Sequence, residues 1–301
     1  MIWELVQFSP DNVNRPIATV MSRRLMAVLK QEKPDIIVSV HPVFVGSVVR
    51  ILKRNKVDIP FISVFADLVS ISGLWPDARA AYNLCYTDEA EAFARGCGVP
   101  PERIKRFSFP VRERFTAGAP IAGSQDFKTS GRPTFLVMSG GEGSGNIVRM
   151  TRFLLDRFDC RVKVVAGRNA RLRKRLVENE QPWYGDRLEV LGFTRNIEEQ
   201  MLASDLAFLR GSPNTIMEAV HCCLPVIITD ALPGQEEGNP AYFESNGLAR
   251  FADTQSKIYH AVSDLLANDS EKLLAMKEAQ RAFRNVNASR EIAEFILSAA
   301  K

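Results

Sequence analysis

The 301-residue sequence lacks any long apolar run and any secretion signal. No stretch reaches the roughly 18 apolar residues that a bilayer-spanning helix needs. The start, MIWELVQFSP, has no basic region before an apolar core and no small-residue cleavage site. We therefore expect a cytoplasmic protein.

Paired cysteines are missing as well. The five cysteines are odd in number and lack C-x-x-C spacing, which argues against a zinc site or a disulfide framework and favours reduced thiols. They are Cys85, Cys97, Cys160, Cys222 and Cys223.

Two common nucleotide fingerprints are absent, although a glycine-rich loop is present. MSGGEGSGN (138–146) stands between the apolar run PTFLV and the helix-like IVRMTRFLLDRF, an order that predicts a phosphate site at a helix N-terminus. In the dinucleotide frame G-x-G-x-x-G that begins at Gly141, the third glycine is replaced by Asn146. A P-loop requires Gly-Lys-Ser/Thr, and Gly145 precedes Asn146. The loop thus predicts a phosphate ligand of another kind.

Charge is unevenly distributed along the chain, whose net charge is +4. Residues 1–120 hold 16 Lys and Arg against 12 Asp and Glu, with basic clusters at 50–56 and 102–115. Two interpretations stay open: a solvated basic face, or a face toward an anionic membrane surface or phospholipid headgroup. Nucleic acid is not expected as a partner, because no recognition motif accompanies the charge.

The order of apolar patterns predicts an α/β protein with two lobes. Short β-branched runs alternate with helical periodicity, as in βα units around a parallel sheet. We expect a lobe over 1–118, a Gly/Ser-rich linker over 119–132 and a second lobe over 133–285, with a ligand cleft between the lobes. For the helix over 286–301 two interpretations stay open: it returns to the first lobe, or it packs locally. Strands are predicted at 35–40, 61–66, 83–87, 104–109, 133–138, 161–166, 187–192, 205–209, 225–229 and 248–251, and helices at 16–31, 44–55 and 88–96.

Two segments of the second lobe carry the densest candidate chemistry. GSPNTIMEA (211–219) follows a strand and opens a helix, so its amides suit a diphosphate. Glu218 could accept both hydroxyls of a ribose, or be a solvated helix glutamate. The polar loop within 224–247 suits the hydroxyls of a sugar, or simply caps a helix.

These residues resemble a known family. The resemblance is to the monogalactosyldiacylglycerol synthases and the related bacterial processive diacylglycerol glucosyltransferases, and it spans roughly residues 33 to 250. Six blocks in the family's order carry it: SVHPVF (39–44), GGEGSG (140–145), AGRN (166–169), LGFT (191–194), GSPNTIMEA (211–219) and LPGQEEGN (232–239). The resemblance implies a GT-B fold with two Rossmann-like lobes, a UDP-sugar donor, inversion at the anomeric carbon and a lipid acceptor at the cytoplasmic face of a membrane.

The resemblance also implies the residues of a donor site. The glycine loop would face the diphosphate, Phe193 and Thr194 the uracil, and Glu218 the ribose. The remaining implied donor residues are Gly140, Gly141, Glu142 and Gly143 in the loop, Arg168, Ser212 and Thr215 near the phosphates, and Gln235, Glu236 and Asn239 at the hexose. No Asp-x-Asp motif occurs, so we expect no metal and no cofactor, with helix dipoles and amides stabilising the leaving UDP.

The acceptor side is implied by ADLVSISGLW (66–75), in which Asp67 and Trp75 keep the family's spacing and Trp75 would touch lipid. Ser72 stands where the family has a histidine. His41 lies at the carboxyl end of a strand, where α/β sheets place ligands.

The family's glycine-rich loop with a histidine base at the start of the first lobe has no counterpart in this sequence. Three explanations are open. The chain lacks the first part of its lobe; Asp67, or else His41, is the base; or the protein binds a UDP-sugar or lipid without turnover. We therefore predict a UDP-dependent hexosyltransferase of glycolipid synthesis, with a non-catalytic relative as the alternative.

Overall fold

The computed structural model describes residues 10–117, 131–138 and 146–300. They form two compact units. The first takes its described residues from 10–110, 233–238 and 287–300, and the second from 111–117, 131–138, 146–232 and 239–286.

The first unit is built on a four-stranded parallel sheet in the order β1-β2-β3-β4. Its strands are β1 (Ile37–Ser39), β2 (Phe61–Val64), β3 (Tyr82–Cys85) and β4 (Ile104–Arg106). Its helices are α1 (Pro10–Glu32), α2 (Pro42–Arg54), α3 (Asp88–Gly96) and the last helix, α13 (Ala288–Ser298), with a 3₁₀ turn at Pro101–Arg103.

Local signals fix where these helices begin. Thr87 caps α3 by accepting a hydrogen bond from the backbone amide of Ala90 at 3.1 Å. Pro42 stands in the first turn of α2, where its missing N–H costs nothing. Helix α1 begins six residues before the predicted start, so that Pro16 lies inside it.

The last helix packs on the first sheet. Phe295 meets the ring of Tyr82 edge-on at 4.9 Å between centroids and that of Phe107 at 5.5 Å. Ile292 joins Ile62 in the same apolar cluster. Burial of these side chains holds the end of the chain against β2 and β3.

The second unit is built on a six-stranded parallel sheet in the order β10-β9-β8-β5-β6-β7. Its strands are β5 (Thr134–Met138), β6 (Arg161–Val165), β7 (Leu188–Leu191), β8 (Leu206–Arg210), β9 (Val226–Asp230) and β10 (Ala249–Phe251). All ten predicted strands are therefore confirmed.

Helices flank this second sheet. They are α4 (Arg114–Ala117), α5 (Asn146–Arg157), α6 (Ala170–Arg175), α7 (Gln181–Tyr184), α8 (Ile197–Leu202), α9 (Pro213–His221), α10 (Asn239–Ser245), α11 (Gln255–Leu266) and α12 (Glu271–Phe283). A π-helical turn covers Leu176–Glu180, and 3₁₀ turns cover Gly185–Arg187 and Asn268–Ser270. Within the described residues, no helix combines the length and apolar character required to cross a membrane.

Candidate functional site

The strand order of the second sheet predicts where a ligand binds. The chain runs from β5 outward through β6 to β7, and then returns so that β8 pairs with β5 on the other side. Ligands of open α/β sheets bind at such a reversal, outside the carboxyl ends of the strands. The reversal here lies between β5 and β8, and the glycine loop follows β5.

A cavity of about 440 Å³ lies beside these strand ends. It collects four of the residues predicted for the donor: Phe193, Thr194, Thr215 and Glu218. The other lining residues are Arg112, Arg114, Met138, Val165, Gly167, Arg195 and Ile197. Residues that are far apart in the sequence therefore line one pocket. Three arginines line it, and Arg168, which stacks on Phe193, lies at its edge.

Glu218 is partly buried and paired in this cavity. A guanidinium nitrogen of Arg112 lies 2.6 Å from a carboxylate oxygen of Glu218. The Glu218 side chain is 15% exposed, whereas that of Arg112 is 58% exposed. Burial raises the pKa of Glu218 above its ordinary value, and the nearby cations of Arg112 and Arg114 oppose that rise.

Arg114 is held more firmly than Arg112. It donates a hydrogen bond to the backbone carbonyl of Arg195 at 2.7 Å and lies 3.3 Å from the Glu198 carboxylate. Both Arg112 and Arg114 stack over the buried ring of Phe115, at 5.0 and 5.3 Å from its centre. Phe115 thus anchors the short segment that brings two cations to the cavity.

Arg168 lies at the edge of the same pocket. Its guanidinium carbon is 4.9 Å from the centre of the Phe193 ring, which is 60% exposed. Gly167 precedes it with φ +58°, a left-handed conformation that glycine adopts without strain. Asn169 then caps α6 by accepting a hydrogen bond from the amide of Leu172. This turn sets an arginine and an exposed aromatic face side by side.

Ser212 and Asn239, two polar residues near the end of β8, differ in the hydrogen bonds of their side chains. Ser212 is the N-cap residue of α9 but makes no capping hydrogen bond with its side chain. Asn239 is 1% exposed, and its amide nitrogen donates to the carbonyl of Gly211 at 2.9 Å. The predicted contact of Asn239 with the hexose is corrected here: its buried side chain supports the turn at Gly211 and has no surface for a sugar.

Four predicted donor residues, Gly140, Gly141, Glu142 and Gly143, lie outside the described residues. Their contact with a diphosphate stays a prediction.

In the first unit, Asp67 lies in a loop that follows β2. Its two carboxylate oxygens have different partners: the indole N–H of Trp75 donates to one at 2.7 Å, and the side-chain amide of Gln235 lies 3.4 Å from the other. The amide of Ser72 donates to the same carboxylate. The loop is fastened further where Ser63 donates to the carbonyl of Trp75 at 2.9 Å.

Burial raises the pKa of Asp67, which is 7% exposed. The hydrogen bonds from Trp75 and Gln235 oppose the rise, while the negative charge of Glu236 adds to it. A carboxylate with a raised pKa is a stronger base than a solvated one. These features are compatible with the predicted role of Asp67 as a general base, which stays a prediction, and Asp67 follows the carboxyl end of β2.

Gln235 and Glu236 lie in the first unit, together with the rest of the 233–238 segment. The sequence prediction had placed that segment in the second lobe. Gln235 is exposed and Glu236 is 4% exposed, so of the two it is the Gln235 amide that has open surface for a sugar hydroxyl.

Trp75 is 1% exposed, and this overturns its predicted contact with lipid. Its ring packs 5.7 Å from that of Phe65, and its N–H is used by Asp67. Trp75 thus orients the carboxylate from within the core of the unit.

His41 is exposed and caps α2. Its ring Nδ1 accepts a hydrogen bond from the amide of Val43 at 3.3 Å. His41 follows β1 as expected, and the cap gives it a structural role at that position.

The sequence reasoning missed the three arginines that line the cavity: Arg112, Arg114 and Arg195. The first two were noticed only as members of a basic cluster. Pairs such as Arg112 and Glu218 lie 106 positions apart, and no local pattern connects them.

Comparison with known proteins bears on this site. Residues 4–111 match the family model described as monogalactosyldiacylglycerol (MGDG) synthase. The chain is 31% identical over 278 residues to a probable chloroplastic monogalactosyldiacylglycerol synthase of Nicotiana tabacum, covering 87% of this chain and 51% of the relative. It is 28% identical over 279 residues to a processive diacylglycerol beta-glucosyltransferase of Bacillus cereus, covering 92% and 71%. The chain thus spans about half the length of the tobacco relative.

Solved structures are similar in fold. Acinetobacter baumannii MurG aligns with a TM-score of 0.65 at 15% identity, covering 96% of this chain and 79% of that one. A Staphylococcus aureus MnaA–UDP co-structure aligns with a TM-score of 0.65 at 17% identity, covering 93% and 80%. The predicted α/β fold of GT-B type is confirmed, as is the resemblance to the glycolipid glycosyltransferases.

Proposed function

We propose that this chain, a relative of the monogalactosyldiacylglycerol synthases and processive diacylglycerol glucosyltransferases, transfers a hexose from a UDP-sugar to a diacylglycerol-like lipid with inversion. The observation that carries the proposal is the cavity at the strand reversal of the second sheet. It brings together Phe193, Thr194, Thr215 and Glu218, all of which the sequence had indicated as donor residues.

The cavity suits a uridine diphosphate in its charge and in its lining residues. Glu218 accepts the ribose hydroxyls, and Phe193 offers a face for the uracil. Thr215 lies in the first turn of α9, whose N-terminal amides and dipole favour an anion. Arg112, beside Glu218, adds positive charge. A MurG-like fold and a neighbour whose structure contains UDP support this assignment.

The reaction requires one proton transfer and one displacement. The acceptor hydroxyl oxygen attacks the anomeric carbon, the bond from that carbon to the diphosphate oxygen breaks, and UDP leaves with the electron pair. Asp67 takes the proton of the hydroxyl. A positioned base contributes about 10²–10⁴-fold to such a rate. Because attack and departure occur on opposite faces, the configuration inverts.

A basic cavity of about 580 Å³ in the first unit supports a membrane surface as the place of reaction. Its charged lining residues are Arg15, Arg50, Lys53, Arg54 and Arg79, with the hydroxyls of Thr19 and Ser22 beside them. Arg50 pairs with Asp11 and Arg79 with Asp77, both at 2.6 Å. Arg15 also lies 3.6 Å from the Asp11 carboxylate. The five cations outnumber these two carboxylates, and the excess positive charge attracts anionic headgroups, by about 1 kcal/mol per cation near the surface.

The test combines purified protein, labelled UDP-glucose or UDP-galactose, and vesicles that contain diacylglycerol. We expect labelled glycolipid from at least one donor, and stronger binding to vesicles that also contain phosphatidylglycerol. The double variant Lys53→Glu/Arg54→Glu should lose that preference. Binding of the UDP-sugar without glycolipid from any donor would instead identify a non-catalytic binding protein.

A further inference from the structure

The segment Pro233–Gly238 makes two polar contacts with the loop that carries Asp67. The backbone amide of Gly238 donates to the hydroxyl of Ser70 at 2.9 Å. Three residues earlier, the side-chain amide nitrogen of Gln235 lies 3.4 Å from a carboxylate oxygen of Asp67. Both contacts join positions that are 168 residues apart in the sequence. They fasten the segment at one end and bring its exposed amide to the candidate base at the other.

Gly238 permits this approach because it lacks a side chain. A Cβ at position 238 would lie 2.8 Å from Cγ1 of Val69 and 3.1 Å from the hydroxyl of Ser70. The first distance is shorter than carbon atoms tolerate, and Val69 is β-branched, so its methyl group has little freedom to move away. Any larger residue would therefore push the segment off the loop.

The loop that receives the segment is held by hydrogen bonds on both sides of Ser70. The hydroxyl of Thr87 donates to the carbonyl of Leu68 at 2.6 Å, and that of Ser72 accepts from the amide of Leu74 at 3.3 Å. Leu68 itself is 1% exposed. The residues on either side of Ser70 are thus tied to the first unit, and Ser70 is placed where its hydroxyl accepts from Gly238.

We propose that Ser70 and Gly238 are positioning residues, which dock the Pro233–Gly238 segment on the Asp67 loop and so hold the side-chain amide of Gln235 beside the candidate base, where it donates a hydrogen bond to a hexose hydroxyl. The proposal rests on the proposed function for the identity of the hexose. The docking itself rests only on the contacts described above.

Hydrogen exchange tests the docking without any catalysis. Peptides that cover 233–238 should exchange more slowly in the wild type than in Ser70→Ala, which removes the acceptor of the Gly238 amide. Ser70→Thr keeps a hydroxyl and should restore protection. Ser298→Ala, an exposed hydroxyl on α13 of the same unit, is the control and should change nothing. Equal exchange rates in all four proteins would overturn the docking.

Binding and kinetics then test the positioning. Docking should favour UDP-hexose over UDP, so we expect Ser70→Ala to reduce the ratio of their affinities by about fivefold, the value of one hydrogen bond. The affinity for UDP should be unchanged. The transfer rate should fall by at least the same factor, and Ser70→Thr should restore both. A wild-type ratio and rate in Ser70→Ala would overturn the proposal even if protection is lost.

Gly238→Ala adds a steric test with a built-in rescue. We expect transfer to fall on the order of 10- to 100-fold, because small misplacements near the reacting atoms are costly. Adding Val69→Ala removes the methyl that the new Cβ meets and should recover part of the rate, which a misfolded variant would not do. An equally inactive double variant contradicts the proposal. If the wild type itself transfers no hexose, the proposed function fails. The positioning role of Ser70 and Gly238 is then tested only by the ratio of the affinities for UDP-hexose and UDP.

Discussion

The guanidinium of Arg112 lies 2.6 Å from the carboxylate of Glu218, the residue that we assign to the ribose. Arg112 belongs to the short segment that is stacked on Phe115, so the ion pair joins this segment to helix α9. The pair fixes the direction of the Glu218 carboxylate and places a cation beside the predicted diphosphate.

The first prediction concerns Glu218 itself. Glu218→Ala should weaken UDP binding by more than about tenfold, since hydrogen bonds to a charged group contribute about 1.5–3 kcal/mol. Titration calorimetry with UDP measures it. Glu178→Ala, an exposed glutamate of the same unit, is the matched control and should bind UDP normally. Unchanged affinity in Glu218→Ala would remove Glu218 from the site.

The second prediction concerns pH. Arg112 lowers the pKa of Glu218 against the effect of burial, so Arg112→Ala should raise that pKa. The ribose hydroxyls need an ionised acceptor. The pH below which UDP affinity falls should therefore be higher in Arg112→Ala than in the wild type. Two other charged groups still face the Glu218 carboxylate in that variant: Arg114, which lowers its pKa, and Glu198, which raises it. Titrations with UDP at a series of pH values measure the shift. The series runs from about pH 5 to about pH 8, because the raised pKa values of buried carboxyl groups fall in this range. Coincident pH profiles would show that Arg112 does not act on Glu218.

The third prediction separates activity from stability at Asp67. Asp67→Asn should lower transfer by about 10²–10⁴-fold through loss of the base, with unchanged UDP affinity. The pKa of Asp67 is raised in the folded protein, so its contribution to stability is greatest at low pH and is lost as pH rises through that pKa. The variant should therefore melt no lower than the wild type at pH 8, well above the ordinary carboxyl range. Transfer at the wild-type rate would assign the base elsewhere.

The fourth prediction tests His41 against Asp67. His41→Ala should cost about 1 kcal/mol of stability because α2 loses its cap. His41→Ser replaces the acceptor and should recover that stability. Thermal melts and transfer assays on both variants measure the two effects. If His41→Ser is stable but has lost transfer, His41 takes part in the chemistry and its role is more than structural.

The sequence predicted the fold well because its signals are local. Strands such as β2 and β8 are short apolar runs that are buried along almost their whole length, and such runs stand out in the sequence. The predicted and observed boundaries of α3 coincide, since Thr87 marks its cap. The start of α1 was missed because a proline usually opens a helix, whereas Pro16 lies in the seventh position of this one.

The site was only partly predictable because its contacts are remote in sequence. The motif around Glu218 indicated its place, but not the ion pair with Arg112. Trp75 was expected to contact lipid, because large aromatic rings occur both in binding sites and in cores and a single sequence does not distinguish the two. The contact of Gln235 with Asp67 likewise depends on tertiary structure.

Stereochemistry provides the most direct measurement of the central claim. The wild-type protein should convert a UDP-α-hexose and diacylglycerol in vesicles to a glycolipid whose anomeric proton, measured by NMR, shows the β configuration, and Asp67→Asn should give almost none. An α-configured product, or a bound UDP-hexose that is never transferred, would contradict the account.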